Sequence, residues 1–205
     1  MGNQVEPFEP MHFYHLYSHA VGAEQLFRTE ENYHYFMQRY AAYVPPVAAT
    51  YAFCLMPNHF HFLIQIRPAD DLARFFGKVP PDGIWTQRIG QQIGNWLNAY
   101  AKAYNRRYQR RGRLFVERVR RKRVTNERYL YKLVHYIHTN PVHHGFVSDP
   151  DDWPFSSYPR LSNDPPAYLE AEIVLGWFGG PVSFRAAHQQ PCDRRLTEKM
   201  EVYLS

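Results

Sequence analysis

Two runs of strand-forming residues, held apart by three turn-formers, constrain the architecture of this chain more than any other stretch. Residues 49–55 (ATYAFCL) and 59–67 (HFHFLIQIR) are rich in aromatic and branched side chains and flank Met56-Pro57-Asn58. Proline and asparagine supply turn chemistry there, so the runs are predicted to pair as an antiparallel hairpin. Alternation along the second run puts Phe60, Phe62, Ile64 and Ile66 on one face and His59 and His61 on the other. One face asks for a hydrophobic core. The other brings two imidazoles toward one point.

The flanking segments extend this hairpin into a sheet with helices. Residues 12–20 (HFYHLYSHA) read as a strand, and Tyr33, Phe36, Met37, Tyr40 and Val44 recur at helical spacing over 31–44 until Pro45-Pro46 stops them. After a mixed connection over 68–83, which contains Pro80-Pro81, a long helix is predicted over 86–110 with Ile89, Ile93, Trp96, Leu97, Tyr100 and Tyr104 on one side. Gly112 ends it, and residues 113–124 read as a strand. Asn126 then caps a helix running through Tyr136, which Pro141 limits near its C-terminal end.

The order predicts an α+β fold, a ferredoxin-like split βαβ antiparallel sheet with an additional tyrosine-bearing helix and a C-terminal tail. Residues 1–160 form the expected main domain and 161–205 an appendage, with one short helix over 168–180 ending at Gly179-Gly180.

Charge is unevenly spread. The chain carries a formal +5, yet residues 101–125 hold eleven Lys or Arg against the single acid Glu117, a local +10 that leaves −5 elsewhere. Lys102, Arg106, Arg107, Arg110, Arg111, Arg113, Arg120, Arg121 and Arg123 lie in this block, interleaved with Tyr104, Tyr108 and Phe115. Such a mixture suits a phosphate backbone and unstacked bases. The plainer alternative is a solvated basic helix face. Cys54 and Cys192 make no CxxC pair, which fits a reducing cytoplasm rather than a disulfide framework or thiolate site. Residues 1–10 contain Glu6 and Glu9 and no apolar run, so neither a leader peptide nor a membrane span is expected.

An HxH pair alone is a weak sign of metal binding, because strand histidines are common. A second cluster adds to it. Over residues 130–140, Leu130, Leu133, Val134 and Ile137 form a core-facing stripe, while Lys132, Tyr136 and Asn140, spaced by four, line one flank. Tyr136 is expected to be presented rather than buried. Asn140 brings an amide oxygen one turn beyond the phenol, where it can join His59 and His61 as a third ligand.

Residues 51–67 (YAFCLMPNHFHFLIQIR), residues 133–147 (LVHYIHTNPVHHGFV) and Trp153-Pro154-Phe155-Ser156-Ser157-Tyr158 together resemble the single-tyrosine HUH transposases, in particular the branch of REP-associated tyrosine transposases. The resemblance spans about residues 12–160. It implies that His59 and His61 hold a divalent ion, Mg²⁺ or Mn²⁺, and that Tyr136 attacks a scissile phosphate. It also puts Asn140 at a further ligand position where relatives often carry Gln. The implied substrate is single-stranded or hairpin-forming DNA, and relatives work as monomers or as homodimers.

Two other functions fit the same residues. One is a domesticated DNA- or RNA-binding protein that keeps the basic block and does not cleave; the other is an unrelated metallohydrolase using a third histidine. The general base is open among groups near the phenol. Lys132 is close in sequence and counted with the DNA-binding residues; His135 and His138 project away from the phenol on an ideal helix, and His143-His144 read as polar loop residues.

Overall fold

The computed structural model describes residues 6–80, 84–116 and 119–193. Strand β1 (Phe13–His19) leads into helix α1 (Glu30–Tyr43), followed by β2 (Ala48–Met56) and β3 (His59–Ile66). Helices α2 (Ala69–Phe76) and α3 (Thr86–Arg107) precede β4 (Arg120–Arg123) and α4 (Glu127–His143). A 3-10 turn at Pro150–Asp152 and three short helices, α5 (Tyr158–Ser162), α6 (Ala171–Trp177) and α7 (Pro181–His188), complete the described chain.

The sheet runs β2-β3-β1-β4 and every neighbouring pair is antiparallel. This is the split βαβ arrangement expected from the element order, since β3 inserts between β1 and β2. Helices α1 and α3 cover one face. There Phe36, Tyr40, Trp96 and Tyr100 pack on Leu16, Phe60, Phe62 and Ile64 in one core. The polar ends of these aromatics are satisfied: Trp96 Nε1 donates to Phe36 O at 3.3 Å, and the Tyr40 and Thr50 hydroxyls meet at 2.6 Å.

Helix α4 lies on the opposite face, over β2 and β3 of its own chain. Leu130, Leu133, Val134 and Ile137 share a second core with Ala52, Cys54, Met56 and Leu63. The segment expected as an appendage feeds this same core through Leu161, Leu169, Val174 and Phe184. Its described part is thus packed over the second layer; residues 194–205 lie outside the described region.

Four local expectations need correction. The connection after β3 holds α2, whose apolar Leu72 is buried and whose end is set by Gly77 in the left-handed region at φ 75°. Instead of one strand over 113–124, two separate pairings occur: Phe115 bridges Ala20, and only Arg120–Arg123 joins β1, with residues 117–118 outside the described region. Burial of Leu114 and Phe115 in the first core bends this stretch out of a continuous strand. Helix α4 continues two residues past Pro141: the proline removes one hydrogen bond, the amide that would reach Ile137 O, and the bonds beyond it carry the turn on, with His144 N donating to Asn140 O at 3.0 Å. Finally, Gly179-Gly180 separates two helices rather than ending the last one, and Pro181 opens α7 with its fixed φ. Among the described residues no helix is long and apolar enough to cross a membrane.

Candidate active site on the histidine face of the sheet

Strand alternation decides which side chains reach the space under α4. His61 stands opposite Tyr17 on β1 and Cys54 on β2, and His59 opposite His19 and Met56. All of these share the face that α4 covers. The docking of α4 through Leu133, Val134 and Ile137 then lays Tyr136 and Asn140 along the two histidines. Asn140 Oδ1 is 3.0 Å from His59 Nε2. The Tyr136 ring meets the His61 ring edge to face, with centroids 5.4 Å apart, and the two histidine rings are 5.2 Å apart. Residues some 80 positions apart in sequence, His59 and Asn140, therefore meet in one cluster.

Second partners settle which ring nitrogens face inward. His59 Nδ1 lies 2.8 Å from Asn58 Oδ1; with the Asn58 amide in this orientation Nδ1 donates and Nε2 keeps a lone pair. That lone pair faces the Asn140 oxygen. Two acceptors in contact are satisfied by a cation between them or by the opposite amide orientation. His61 Nδ1 is bonded to His15 Nε2 at 3.0 Å, while His61 Nε2 is buried and has no protein hydrogen-bond partner. Burial also holds the rings neutral: it pushes His59 down to about 4, with smaller contributions from His144 and His19, and carries His61 well below the usual histidine range. Neutral imidazole is the metal-binding form.

The donor set fits a divalent ion. The 3.0 Å between His59 Nε2 and Asn140 Oδ1 is an ordinary hydrogen-bond distance and leaves two donors of the right type side by side. Among the described residues no group of three or more His, Cys, Asp or Glu side chains is placed to hold a metal ion. Two imidazoles and an amide oxygen are thus a sparse set, suited to an ion that keeps positions open for substrate oxygens rather than to a closed structural zinc centre.

Tyr136 departs from expectation in one respect: it is only 1% exposed. The ring fills the space between α4 and β3, and the phenol is closed off from solvent. The Lys132 ammonium is held by the Asp193 carboxylate. His138 turns away as well. It bonds Ser157 Oγ at 2.8 Å and His188 Nε2 at 3.0 Å, tying α4 to α5 and α7. His144, by contrast, brings its ring within 5.3 Å of His59. His15 was missed by sequence reasoning. Its signal was parity, since it alternates with Tyr14 and Leu16, but its partner is visible only once β1 and β3 are paired.

The basic block is divided by the fold. Lys102, Arg106, Arg107, Arg111 and Arg113 are exposed. Arg107 stands 4.0 Å from Glu31, and half-buried Arg110 is locked to Glu24 at 2.6 Å and to Arg113 O at 3.0 Å. On β4, alternation sends Arg120 and Lys122 to the histidine face, opposite Tyr17 and His15, and sends Arg121 and Arg123 to the other. There Arg121 covers the Phe8 ring at 4.0 Å and donates to Glu6 O, while Arg123 pairs with Glu9 at 2.9 Å.

Comparison with known proteins places this geometry in a wider setting. A putative REP-associated tyrosine transposase of Haemophilus influenzae is 28% identical over 156 residues, covering 64% of this chain and 68% of that protein. A solved structure of a REP-associated tyrosine transposase bound to a REP hairpin shares the fold, with a TM-score of 0.54 and 20% identity over 78% of this chain and 84% of that one. No protein-family model matches.

Proposed function

Given a chain that is a relative of the REP-associated tyrosine transposases in sequence and in fold, we propose that it is a metal-dependent single-strand DNA endonuclease and strand transferase that cuts through Tyr136 at hairpin-forming DNA. The observation that carries this reading is the convergence of His59, His61, Asn140 and Tyr136 from β3 and α4 on one face of the sheet.

In this reading His59 and His61, through Nε2, and Asn140, through Oδ1, hold one divalent ion, Mg²⁺ or Mn²⁺. Bound there, the ion supplies charge that offsets the anionic phosphate oxygens and polarises phosphorus. Tyr136 Oη attacks phosphorus in line with the 3′-oxygen. The P–O3′ bond breaks, the 3′-oxygen takes up a proton, and the 5′-phosphate stays on the tyrosine. A phenol has an ordinary pKa near 10, so its proton must pass to a base or to water as the bond forms. Because the phosphotyrosine ester conserves the energy of the broken bond, a second 3′-hydroxyl can attack it and rejoin DNA without ATP. In this arrangement one chain supplies both the histidines and the tyrosine.

The exposed cations of α3 and the following loop, with Arg120 on the histidine face, give the strand its electrostatic track. Burial of Tyr136 favours the competing reading of a non-cleaving DNA- or RNA-binding protein on the same scaffold. Incubation with a labelled single-stranded hairpin and Mn²⁺ or Mg²⁺ separates the two. The parent is expected to form a covalent protein–DNA band on a denaturing gel and Tyr136→Phe none. A parent that binds the hairpin without an adduct establishes the alternative, and equal cleavage by both proteins removes Tyr136 from the mechanism.

A further inference from the structure

His15 sits in the middle of β1, fully buried, on the face that looks toward α4. Its cross-strand neighbours are Leu63 and Lys122, and its ring stacks on Tyr17 with centroids 4.8 Å apart. An imidazole is an expensive choice there, because a buried polar ring must recover its lost hydration through hydrogen bonds. His15 makes one such bond, from Nε2 to His61 Nδ1 at 3.0 Å, and its Nδ1 has no protein hydrogen-bond partner. A leucine or valine would fill this strand position without that cost. The single bond falls on one of the two histidines that carry the proposed ion site.

We infer that His15 is a positioning residue for the metal centre: it accepts the Nδ1 proton of His61 and so fixes His61 in the orientation and tautomer that turn Nε2 toward the ion. The inference rests on the metal-dependent reading above. Each imidazole has two nitrogens, and in the neutral ring only the unprotonated one can ligate. With nothing at Nδ1, neither tautomer of His61 is held over the other. With His15 Nε2 as acceptor, the proton stays on Nδ1 and the lone pair on Nε2. The partner's electron density also makes the ligand nitrogen more basic, as a carboxylate or carbonyl does behind many metal-bound histidines. His59 has the same device in another form, since Asn58 Oδ1 accepts a hydrogen bond from its Nδ1 at 2.8 Å. Both strand histidines are thus held from behind by an acceptor, one from the turn and one from β1. Bonding between the rings also explains their near-parallel planes, 27° apart with centroids at 5.0 Å.

The test is Mn²⁺ binding by the whole chain without DNA, followed by electron paramagnetic resonance of the free ion, for the parent, His61→Leu, His15→Leu and His15→Gln, with thermal unfolding of each metal-free protein. The parent is expected to bind Mn²⁺ and His61→Leu to lose it. His15→Leu should weaken Mn²⁺ per folded molecule about 10- to 100-fold, the usual effect of removing an outer-shell partner, beside a modest fall in the melting temperature of the metal-free protein, because His61 Nδ1 loses its acceptor. His15→Gln, whose side-chain oxygen can take the same proton, should recover part of the affinity. A purely structural role predicts a lower melting temperature for His15→Leu with unchanged Mn²⁺ affinity per folded molecule, and that result overturns the inference. Should His15→Leu fail to fold, His15→Gln decides alone, and wild-type affinity with a mixed tautomer of His61 in its ¹⁵N spectrum counts against it. A parent that binds no Mn²⁺ overturns the metal reading and this inference together; a parent that binds through His61 with His15 irrelevant overturns this inference only.

Discussion

The two faces of the sheet are built from the same strands to opposite ends. On the face toward α1 and α3, Phe60, Phe62 and Ile64 of β3 meet Trp96, Phe36 and Tyr40 in a continuous aromatic core whose hydroxyl and indole groups are bonded. On the face toward α4, the residues between them are His59, His61 and Leu63, and three buried side chains there carry polar atoms without a protein hydrogen-bond partner: His15 Nδ1, His61 Nε2 and Asn140 Nδ2. Buried unsatisfied groups cost free energy, so a fold tolerates a cluster of them where something other than stability is served. One face is aromatic packing with its polar groups bonded; the other sets unpartnered buried nitrogens beside a second core.

Adjacent residues of β3 test that division most sharply. Phe62→Ala removes a fully buried ring from the aromatic core and should cost about 3–5 kcal/mol, read from urea unfolding, without abolishing adduct formation by the molecules that remain folded. His61→Leu, one position away, should abolish the metal-dependent covalent adduct altogether while costing no more than about 1–3 kcal/mol, the penalty of leaving His15 without its partner. If His61→Leu cleaves normally, or if Phe62→Ala alone destroys activity without loss of stability, the two faces do not divide as described.

Acid should act on the histidine side. His188 of α7 is buried against His135 and His138 of α4 and Tyr158 of α5. Burial is the main cause that lowers its folded pKa to about 4, whereas an unfolded histidine titrates near 6.5. Below about pH 6.5 the unfolded chain therefore binds protons that the folded chain refuses. Stability is complete above that value and falls as pH drops toward 4, by up to ~3 kcal/mol for this one group. Replacing His188 with Leu should flatten the dependence of the urea midpoint between pH 7 and pH 5. An unchanged slope would take His188 out of the acid response.

How much of this is legible in the sequence follows from the range of the interactions. The hairpin, α1 and α3 and the split βαβ order are readable because alternation and helical period are local properties of consecutive residues. The grouping of His59 and His61 is readable for the same reason. Burial of Tyr136 is not, because it depends on the angle at which α4 meets β3, which Leu133 and Ile137 set only against their partners on β2. The position of α7 is equally hidden: its sequence, PVSFRAAH, has a weak stripe, and what fixes it is the bonding of His188 to His138 across 50 residues. The role of His15 requires the register of β1 against β3, and a one-residue slip would turn it into the aromatic core.

The basic strand β4 repeats the division on a smaller scale. Arg121 and Arg123 fasten the segment around Phe8 and Glu9 to the packed face, and Arg120 and Lys122 project on the histidine face. The double change Arg120→Gln, Lys122→Gln should weaken hairpin DNA binding about 10-fold or more and lower the salt slope by about 0.7–0.9 for each phosphate that is no longer neutralised. The pair Arg121→Gln, Arg123→Gln should leave the salt slope nearly unchanged and instead cost about 1 kcal/mol of stability. Fluorescence anisotropy at several salt concentrations reads the first, and urea unfolding the second. Equal salt slopes for the two double variants would mean that both faces of β4 meet DNA.

The smallest effect belongs to the start of α4. Asn126 caps this helix by accepting the amide of Tyr129 at 2.8 Å, satisfying one of the donors that a helix leaves unpaired at its beginning. Asn126→Ala should therefore cost about 1 kcal/mol, because Ala offers no acceptor and the exposed amide turns to water. The loss should not reach the site. Tyr136 and Asn140 lie in the third and fourth turns of α4, beyond Leu133 and Val134, whose burial against β2 holds that part of the helix whether or not its first turn frays. Adduct formation per folded molecule should then match the parent. A fall in the adduct rate that exceeds the fall in folded fraction would show that the first turn of α4 is coupled to the phenol, and that the histidine face is organised by the whole helix rather than by its buried half.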